Sequence, residues 1–519
     1  MIALDNLPYS IVTNLGFQRL MFKVAPQYTL PGRKYFTENI VPNIYDRLVT
    51  VIKNSLLNVD SLSLTSDLWT CSHTNESFIS FTGHWFDSDF KYNHVVLNCK
   101  HFPGSHTGES IKNVFFDMLN MWNINISKVH LMVRDNGANI VKCCNDAEIP
   151  SVSCFIHNLQ LVITQTIDTQ RSVLDLIATC KKMVGHFNHS SAACTKLKEI
   201  QTELNIPGNK LIQEDDPTRW NSTFLMIKRI YEQKRALTVY AADHNVDNLT
   251  SNQWVLLESL INLLQPFEEI TKKMSSNKAL ISEVLPTVVT LKKYLMKDQA
   301  EFFGVGTMKQ IVFDQISKRF DVLFKNKFFV ISTILDPRFK LAFFQSDNLE
   351  NYKQYIIDEY EHYFSVQGQS TNSDDDDIPL LRIQQTVYLE NNLSDKTSEE
   401  VGSSQSKLWQ CFDKIAASSA TKTPNKNSIK DEFEMYLSLP LINRTENPTT
   451  WWKDRKTVFP KLLQILLKFL TAPASSVYSE RSFSEAGNIY DETRSRLLPK
   501  NAEKLLFIHH NLPLVNFQY

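Results

Sequence analysis

The sequence is short of the features that mark secreted, membrane-spanning and zinc-finger proteins. Its eight cysteines are scattered, and no two of them have the C-x2-C spacing, so neither a disulfide framework nor a structural zinc finger is expected. No segment approaches the roughly 20 consecutive apolar residues of a membrane-spanning helix. The N-terminal MIALDNLPYS has no basic flank followed by an apolar block, so no secretory signal is expected. These absences predict an intracellular protein with reduced thiols and no membrane partner.

An excess of charge of either sign is also lacking. The 55 lysines and arginines are balanced by 56 aspartates and glutamates, which gives a net charge of −1. Nucleic-acid-binding domains usually carry a basic face, so any contact with DNA must come from local patches. The hydrophobic fraction of 43% is ordinary for a globular protein, and 519 residues exceed what a single core usually holds.

The first part of the chain changes from helical to strand-like periodicity. Residues 1–58 have apolar positions at helical spacing and are predicted to form a helical region. From residue 60 the period changes to two, and SLTSDLWT, ESFISFTGHWFD and HVVLNCKHF are predicted as strands, the last two as antiparallel neighbours of the first. A helix capped near Thr107 follows, then an apolar strand, the acid Asp135, a turn, a second helix and the short strand SVSCF. This order indicates an α/β sheet.

The rest of the chain is predicted to be helical, with one interruption. Helical periodicity extends from about 157 to 365. Residues 366–430 are rich in Ser, Asn, Thr and Asp, which is typical of a flexible acidic and polar linker. Three helices are predicted after it, at about 458–470, 476–486 and 501–511, and their apolar faces require a partner surface.

Two aspartates follow strand-like segments of the predicted sheet. Asp67 comes at the end of the first strand, and Asp135 comes directly after a later one. At a common sheet edge their charges would repel each other, unless a divalent cation such as Mg²⁺ held both carboxylates ionised. A pair of such ions can cleave a phosphodiester, a reaction that commonly uses a third carboxylate. From spacing alone, however, a turn or helix-capping role explains each aspartate better.

Six segments spread through the chain carry a family resemblance. They are LTSDLWT, VRDNGANI, CFIHNLQL, DDPTRWNST, TILDPRFK and SSVYSERSFSEAGNIYDETRSRL. In this order they resemble the successive landmarks of hAT-superfamily transposases, particularly the lineage related to zinc-finger BED-domain proteins. The resemblance implies a ribonuclease-H-like α/β core that is interrupted by a large all-α insertion and followed by a helical C-terminal dimerisation region.

The resemblance also implies a division of the chain into five parts. These are a helical N-terminal region (1–58), the first part of the core (59–165), the all-α insertion (166–365), the linker (366–430) and the C-terminal dimerisation region that completes the core (431–519).

A catalytic and metal-binding triad of Asp67, Asp135 and Glu480 follows from the resemblance, with Mg²⁺ or Mn²⁺ as the cofactor. Glu480 is also open to a simpler reading, because acids are favoured in the first turn of a helix for electrostatic reasons alone. Glu485 is the rival third ligand, but the SERSFS context matches the family at Glu480.

Two further pairs of residues stand out. Arg219 and Trp220 resemble an Arg-Trp pair that holds DNA near the cleavage site, where an aromatic ring stacked on a base contributes ~1–3 kcal/mol; a core Trp beside a surface Arg is the alternative. Cys154 and His157 have a C-x2-H spacing, but a structural zinc needs four ligands, so a core thiol and a packed imidazole are expected. The resemblance implies a position near the active site for this second pair.

Two functions are therefore expected from the sequence. The first is a nuclear transposase that binds DNA, dimerises and cleaves phosphodiesters with a divalent metal. The second is a domesticated or truncated transposon-derived regulator that dimerises on DNA without catalysis, since the BED finger common in this lineage is not found in the chain.

Overall fold

The computed structural model describes residues 1–71, 74–208, 211, 219–244, 246–297, 304–369, 428–489 and 497–518. The strands are β1 (Leu62–Thr70), β2 (Ser77–Phe86), β3 (Tyr92–His101), β4 (Val129–Arg134) and β5 (Ser151–Ser153). The helices before and between them are α1 (Leu15–Val24), α2 (Val41–Leu57), α3 (Gly108–Trp122) and α4 (Ala138–Asp146).

A long run of helices follows the last strand. They are α5 (Phe155–Asp168), α6 (Arg171–Asn188), α7 (Ser191–Glu203), α8 (Trp220–Glu232), α9 (Lys234–Asp243), α10 (Ser251–Met274), α11 (Val284–Met296), α12 (Gly306–Phe320), α13 (Lys327–Leu335) and α14 (Leu349–Gln369). The C-terminal helices are α15 (Ile429–Ser438), α16 (Pro448–Lys453), α17 (Pro460–Phe469), α18 (Val477–Ile489) and α19 (Pro499–Asn511).

The five strands form one mixed sheet in the order β3-β2-β1-β4-β5. β1 pairs with β2 in antiparallel orientation and with β4 in parallel orientation, while β3 pairs with β2. The prediction that both hairpin strands neighbour β1 was therefore wrong for β3, which lies one strand further out. A meander places consecutive antiparallel strands side by side, so only the first of the two can reach β1.

The sheet separates two hydrophobic cores. On one face, Leu62 and Leu64 pack in a core with α2, α3, α4 and α19. On the other face, Leu131 and Val133 of β4 join a larger core that includes the helices from α5 to α17. Because both faces are covered, every residue of β2 is buried. The sheet is thus the shared wall between two layers. One layer contains α2, α3, α4 and α19, and the other contains the helical insertion with α15, α16 and α17.

The C-terminal helices return to the sheet from the far end of the chain. The Asn511 side-chain amide of α19 forms two hydrogen bonds of 2.9 Å with the backbone of Val96 in β3. α18 lies against β1 and β2, where the ring of Phe483 stacks on that of Trp69 at a centroid distance of 6.0 Å. Residues more than 400 positions apart therefore complete one layer of the fold.

Most of the predicted elements are confirmed. The Thr107 cap, the strand and turn around Asp135 and the three C-terminal helices all form. The predicted linker falls largely on residues 370–427, which lie outside the described residues, although α14 continues to Gln369. In the part of the chain that the structure describes, we find no helix whose length and apolar character would suit a membrane span.

Candidate active site

Asp67 reaches the site because β1 alternates between two environments. Its even-numbered leucines face one core, so Ser63, Thr65 and Asp67 point to the opposite face. There the Thr65 hydroxyl lies 2.7 Å from that of Ser479 in α18. Asp67 is half-buried and lies within the strand, which continues to Thr70 rather than ending at the acid as predicted.

Asp135 lies beside Asp67 because of the parallel pairing of β1 and β4. The register pairs Thr65 with Val133, and two further residues along both strands bring Asp67 level with Asp135. Asp135 ends the strand in a tight turn, in which its Oδ1 accepts a hydrogen bond of 3.0 Å from the N–H of Gly137. A Cβ atom at position 137 would lie 3.2 Å from that same oxygen, so glycine lets the turn close on the carboxylate.

Glu480 is carried to these aspartates by the first turn of α18. Its side chain is about one-third exposed, and the Ser476 hydroxyl lies 3.5 Å from its Oε1. The segment before α18 is fixed to the loop after α10 by backbone hydrogen bonds from Ile281 to Ala472 and from Ala474 to Ala279. Glu485 lies on the same helix, but its side chain is outside the described residues.

Cys154 connects helix α5 to the start of α18, the helix that carries Glu480. Its buried thiol accepts the N–H of Ser476 at 3.4 Å and caps α5 through the N–H of His157 at 3.5 Å. Burial, reinforced by the charge of Glu480, raises the pKa of this thiol to about 11, so it remains protonated. His157 is half-buried in the first turn of α5. The geometry gives Cys154 a structural role next to the carboxylates.

The three acids interact through their charges. Burial raises the pKa of Asp67 to about 8, and the neighbouring Glu480 and Asp135 contribute to the rise, whereas the Leu68 N–H and Arg219 oppose it. A carboxyl group with such a pKa holds a proton at neutral pH in the absence of another cation. The site therefore concentrates negative charge around Asp67.

The donor set suits a hard cation, but the three acids do not form a single three-ligand group. Carboxylate oxygens are the ligands that Mg²⁺ and Mn²⁺ prefer, and Mg²⁺ is often held by one or two carboxylates plus waters. Among the described residues, however, no group of three or more His, Cys, Asp or Glu side chains is arranged to hold one metal ion. The site thus fits a cation held by fewer than three of its acids.

Arg219 and Trp220 lie at the start of α8 next to the acids. The Arg219 guanidinium is 3.9 Å from the Glu480 carboxylate, and its side chain is 61% exposed. Trp220 is only 4% exposed, packs against Phe224 and donates its backbone N–H to the Gln160 side chain at 3.3 Å. In this arrangement the Trp220 ring would have to leave the core in order to stack on a base.

The sequence reasoning missed the hydroxyl-rich network that docks α18 on the sheet. Thr65 contacts both Ser479 and Thr82, and Thr82 lies 2.7 Å from the His84 ring, which in turn meets the Tyr92 hydroxyl at 3.0 Å. Burial lowers the pKa of His84 well below its usual value, so the ring is neutral. The signal available in the sequence was the polar alternation of Ser63, Thr65 and Asp67 in a buried strand.

A mixed sheet with one acid in β1, a second directly after β4 and a third on the distant helix α18 defines an α/β domain with a helical insertion. Comparisons with known proteins specify its class. Residues 65–149 match the ZBED1 RNase-like domain, residues 152–263 match the ZBED1 RNase-like helical domain, and residues 432–512 match the hAT family C-terminal dimerisation region.

Whole-chain comparisons agree. The chain is 31% identical to the human zinc finger BED domain-containing protein 4 and 28% identical to the human zinc finger BED domain-containing protein 6, over its full length and over 43% and 55% of theirs. It is 23% identical to the putative AC transposase of Zea mays, over 97% of this chain and 63% of that protein. It thus spans about half the length of the first two relatives. The chain belongs to the hAT superfamily, in the lineage of the zinc-finger BED-domain proteins.

Proposed function

We propose that this chain is the core of a nuclear, DNA-binding, dimeric transposase that cleaves and joins DNA phosphodiesters at Asp67, Asp135 and Glu480. The convergence of these acids from three separate parts of the chain carries the proposal. Two further carboxylates near the half-buried Asp67 are costly for a structural site, because the three negative charges repel one another. In a ribonuclease-H-like core, a bound divalent cation would offset this repulsion and take part in the reaction.

The acids would hold Mg²⁺ or Mn²⁺, which when bound supplies charge stabilisation for the phosphodiester. Asp67 is the central ligand in this proposal, because both other acids act on its carboxyl group. Arg219 is exposed beside Glu480 and would contact a DNA phosphate, since a guanidinium forms paired hydrogen bonds with phosphate oxygens. Trp220 would stack on a base only after leaving its packing against Phe224.

A cleavage assay tests the catalytic part. Purified protein is incubated with pre-nicked and hairpin-forming DNA in Mg²⁺, in Mn²⁺ and in chelator. We expect metal-dependent cleavage that falls by about a hundredfold or more in Asp67→Asn and Glu480→Gln. Asp146→Asn is the matched control, because Asp146 pairs with Lys142 on the surface of α4. Equal cleavage by Asp67→Asn and the unaltered protein would refute the assignment.

A second function is favoured by a separate observation. The described acids do not form a three-ligand group, and a relative that is 24% identical over 97% of this chain and 60% of its own length is the putative transcriptional regulator tpeD of Talaromyces stipitatus. A dimeric DNA-associated regulator without catalysis would show DNA binding but no cleavage with any metal. Light scattering tests the dimer in both cases: a clean monomer at micromolar concentration would contradict it.

A further inference from the structure

A concave groove on the helical insertion lies apart from the carboxylate site. It is formed by α11, α12, the residues around Phe324 and the segment between α13 and α14, and it encloses about 570 Å³. We call it the aromatic groove, after Phe313, Phe324, Phe344 and Tyr352, which line it. None of the three matched family regions includes it, because they end at residue 263 and resume at residue 432.

The walls of the aromatic groove are only partly covered by the rest of the protein. All four of its rings are half-buried, and three of them pack in a row: the ring centres of Phe324 and Phe344 are 6.1 Å apart, and those of Phe344 and Tyr352 are 4.7 Å apart. Met296 also lines the groove and is 67% exposed. Aromatic and methionine side chains gathered in one concave patch are typical of the centre of a protein-binding surface.

The rim of the groove is positively charged. Lys292, Lys293 and Lys325 line it, together with Asp321. Asp321 pairs with Lys292 at 2.8 Å, and the Lys292 ammonium also lies 5.3 Å from the centre of the Phe313 ring. The exposed Lys293 and Lys325 are therefore an excess of positive charge beside the aromatic walls.

We propose that the aromatic groove binds a peptide segment of a partner protein in which bulky apolar residues are flanked by aspartates and glutamates. The apolar side chains fill the groove, whose volume is in the range of ligand pockets, and the acids meet Lys293 and Lys325. A single-stranded nucleic acid fits less well. The rings of Phe324 and Phe344 are inclined at 83°, and those of Phe344 and Tyr352 at 50°, so they do not offer parallel faces to successive bases.

Fluorescence anisotropy with the full chain tests this proposal. The probe is a short labelled peptide in which Leu, Phe and Trp alternate with Glu and Asp, and the comparison peptide has Lys in place of every acid. We expect the acidic peptide to bind at least about tenfold more tightly than the basic one. Lys293→Glu with Lys325→Glu should reduce the affinity for the acidic peptide by about tenfold or more and restore some affinity for the basic one.

One control and a second groove variant make the result specific. Lys182→Glu with Lys198→Glu changes the same charge at exposed positions of α6 and α7 and should leave peptide binding unchanged. Met296→Asp places an acid on an exposed part of the groove wall, so it should weaken binding without unfolding the protein. Binding that is insensitive to both groove variants, or no binding of the acidic peptide, would overturn the proposal. Tight binding of an oligothymidine that is lost in the groove variants would assign the groove to nucleic acid instead.

Discussion

Two clusters of acids in this protein have opposite electrostatic surroundings. In the buried ion network, Arg338 binds both oxygens of Asp336 at 2.9 and 2.7 Å and lies 3.6 Å from Glu283, which Lys273 approaches to 2.7 Å. Burial acts to raise the pKa of Glu283, but Lys273 and Arg338 outweigh it, and the pKa is lowered. At the candidate active site, the pKa of Asp67 is raised to about 8.

The difference distinguishes a structural ion network from the candidate active site. In the ion network every acid has a cation in contact, so it fixes α11 to the segment after α13 without excess charge. At the candidate active site, Arg219 is largely exposed and 3.9 Å from Glu480, and the pKa of Asp67 is raised although Arg219 opposes the rise. Acids whose pKa is raised by burial and by neighbouring carboxylates are a mark of catalytic and metal-binding sites.

The largest effect is expected when the ion network loses its central cation. Arg338→Met leaves Asp336 and Glu283 buried without that partner, which should lower the free energy of unfolding by about 3–5 kcal/mol. Urea denaturation at neutral pH measures the loss. Arg171→Met is the control, because Arg171 is 89% exposed and pairs at the surface of α6 with Asp175, which is itself 63% exposed. Similar losses for the two variants would mean that the network is no more important than a surface pair.

At the candidate active site, removal of an ionisable group is expected to raise the free energy of unfolding rather than to lower it. Because the folded pKa of Asp67 is about 8 and its ordinary value is 3.8, the folded protein retains a proton that the unfolded chain has released between these values. The free energy of unfolding should therefore fall as the pH rises from about 4 to about 8 and become insensitive to Asp67 above that range. Asp67→Asn removes this fall, and it should stabilise the metal-free protein by about 1–3 kcal/mol at pH 7.

Urea titrations in chelator at several pH values between 5 and 8 measure this effect. The free energy of unfolding of Asp67→Asn should exceed that of the unaltered protein by an amount that grows with pH. The curve of Asp146→Asn against pH should run parallel to that of the unaltered protein. If Asp67→Asn and the unaltered protein depend equally on pH, the acids do not interact as described. If Asp67 is a ligand of Mg²⁺ as proposed, addition of Mg²⁺ should reverse the order of stability, because a ligand that binds the folded state stabilises it.

Much of the sheet and its acids could be predicted from the sequence, for local reasons. Alternation in SLTSDLWT predicts β1, and the strand–acid–glycine order around Asp135 predicts a turn at a sheet edge. The position of β3 could not be predicted in the same way, because strand order depends on contacts between distant residues. Nor could the proximity of Glu480 to Asp67 be predicted from periodicity alone. They are 413 residues apart along the chain, and they come together because α18 docks on the sheet.

The role of the TILDPRFK segment shows another limit. The sequence marks it as a family landmark, but the buried ion network around its Arg338 also needs Glu283 and Lys273, which come from a different helical hairpin. Lys340 of the same segment donates to the carbonyls of Tyr436 and Leu439, so it also fixes α15. These partners lie on both sides of the predicted linker, and no spacing rule along the chain connects them.

A moderate effect is expected from the contact that docks α18. Thr65→Val removes the hydroxyl that lies between Ser479 and Thr82, and it should lower the free energy of unfolding by about 1–2 kcal/mol because a buried polar partner is lost. If this contact also holds Glu480 near Asp67, the pH dependence assigned to Asp67 should weaken in the same variant. Thr202→Val at an exposed position of α7 is the control, and it should change neither quantity.

The smallest change in stability is expected for Arg219→Gln. Like Arg338, Arg219 lies near a glutamate, but it is largely exposed, so the pair should contribute no more than about 0.5 kcal/mol. Arg219 does oppose the rise in the pKa of Asp67, so its loss should move the titration of Asp67 to higher pH. Urea curves across the same pH range report both quantities. A large loss of stability without a shift in that titration would show that Arg219, like Arg338, is a structural cation. A shift in the titration at nearly constant stability would show that Arg219 acts on the charge of the acids and contributes little to the stability of the fold.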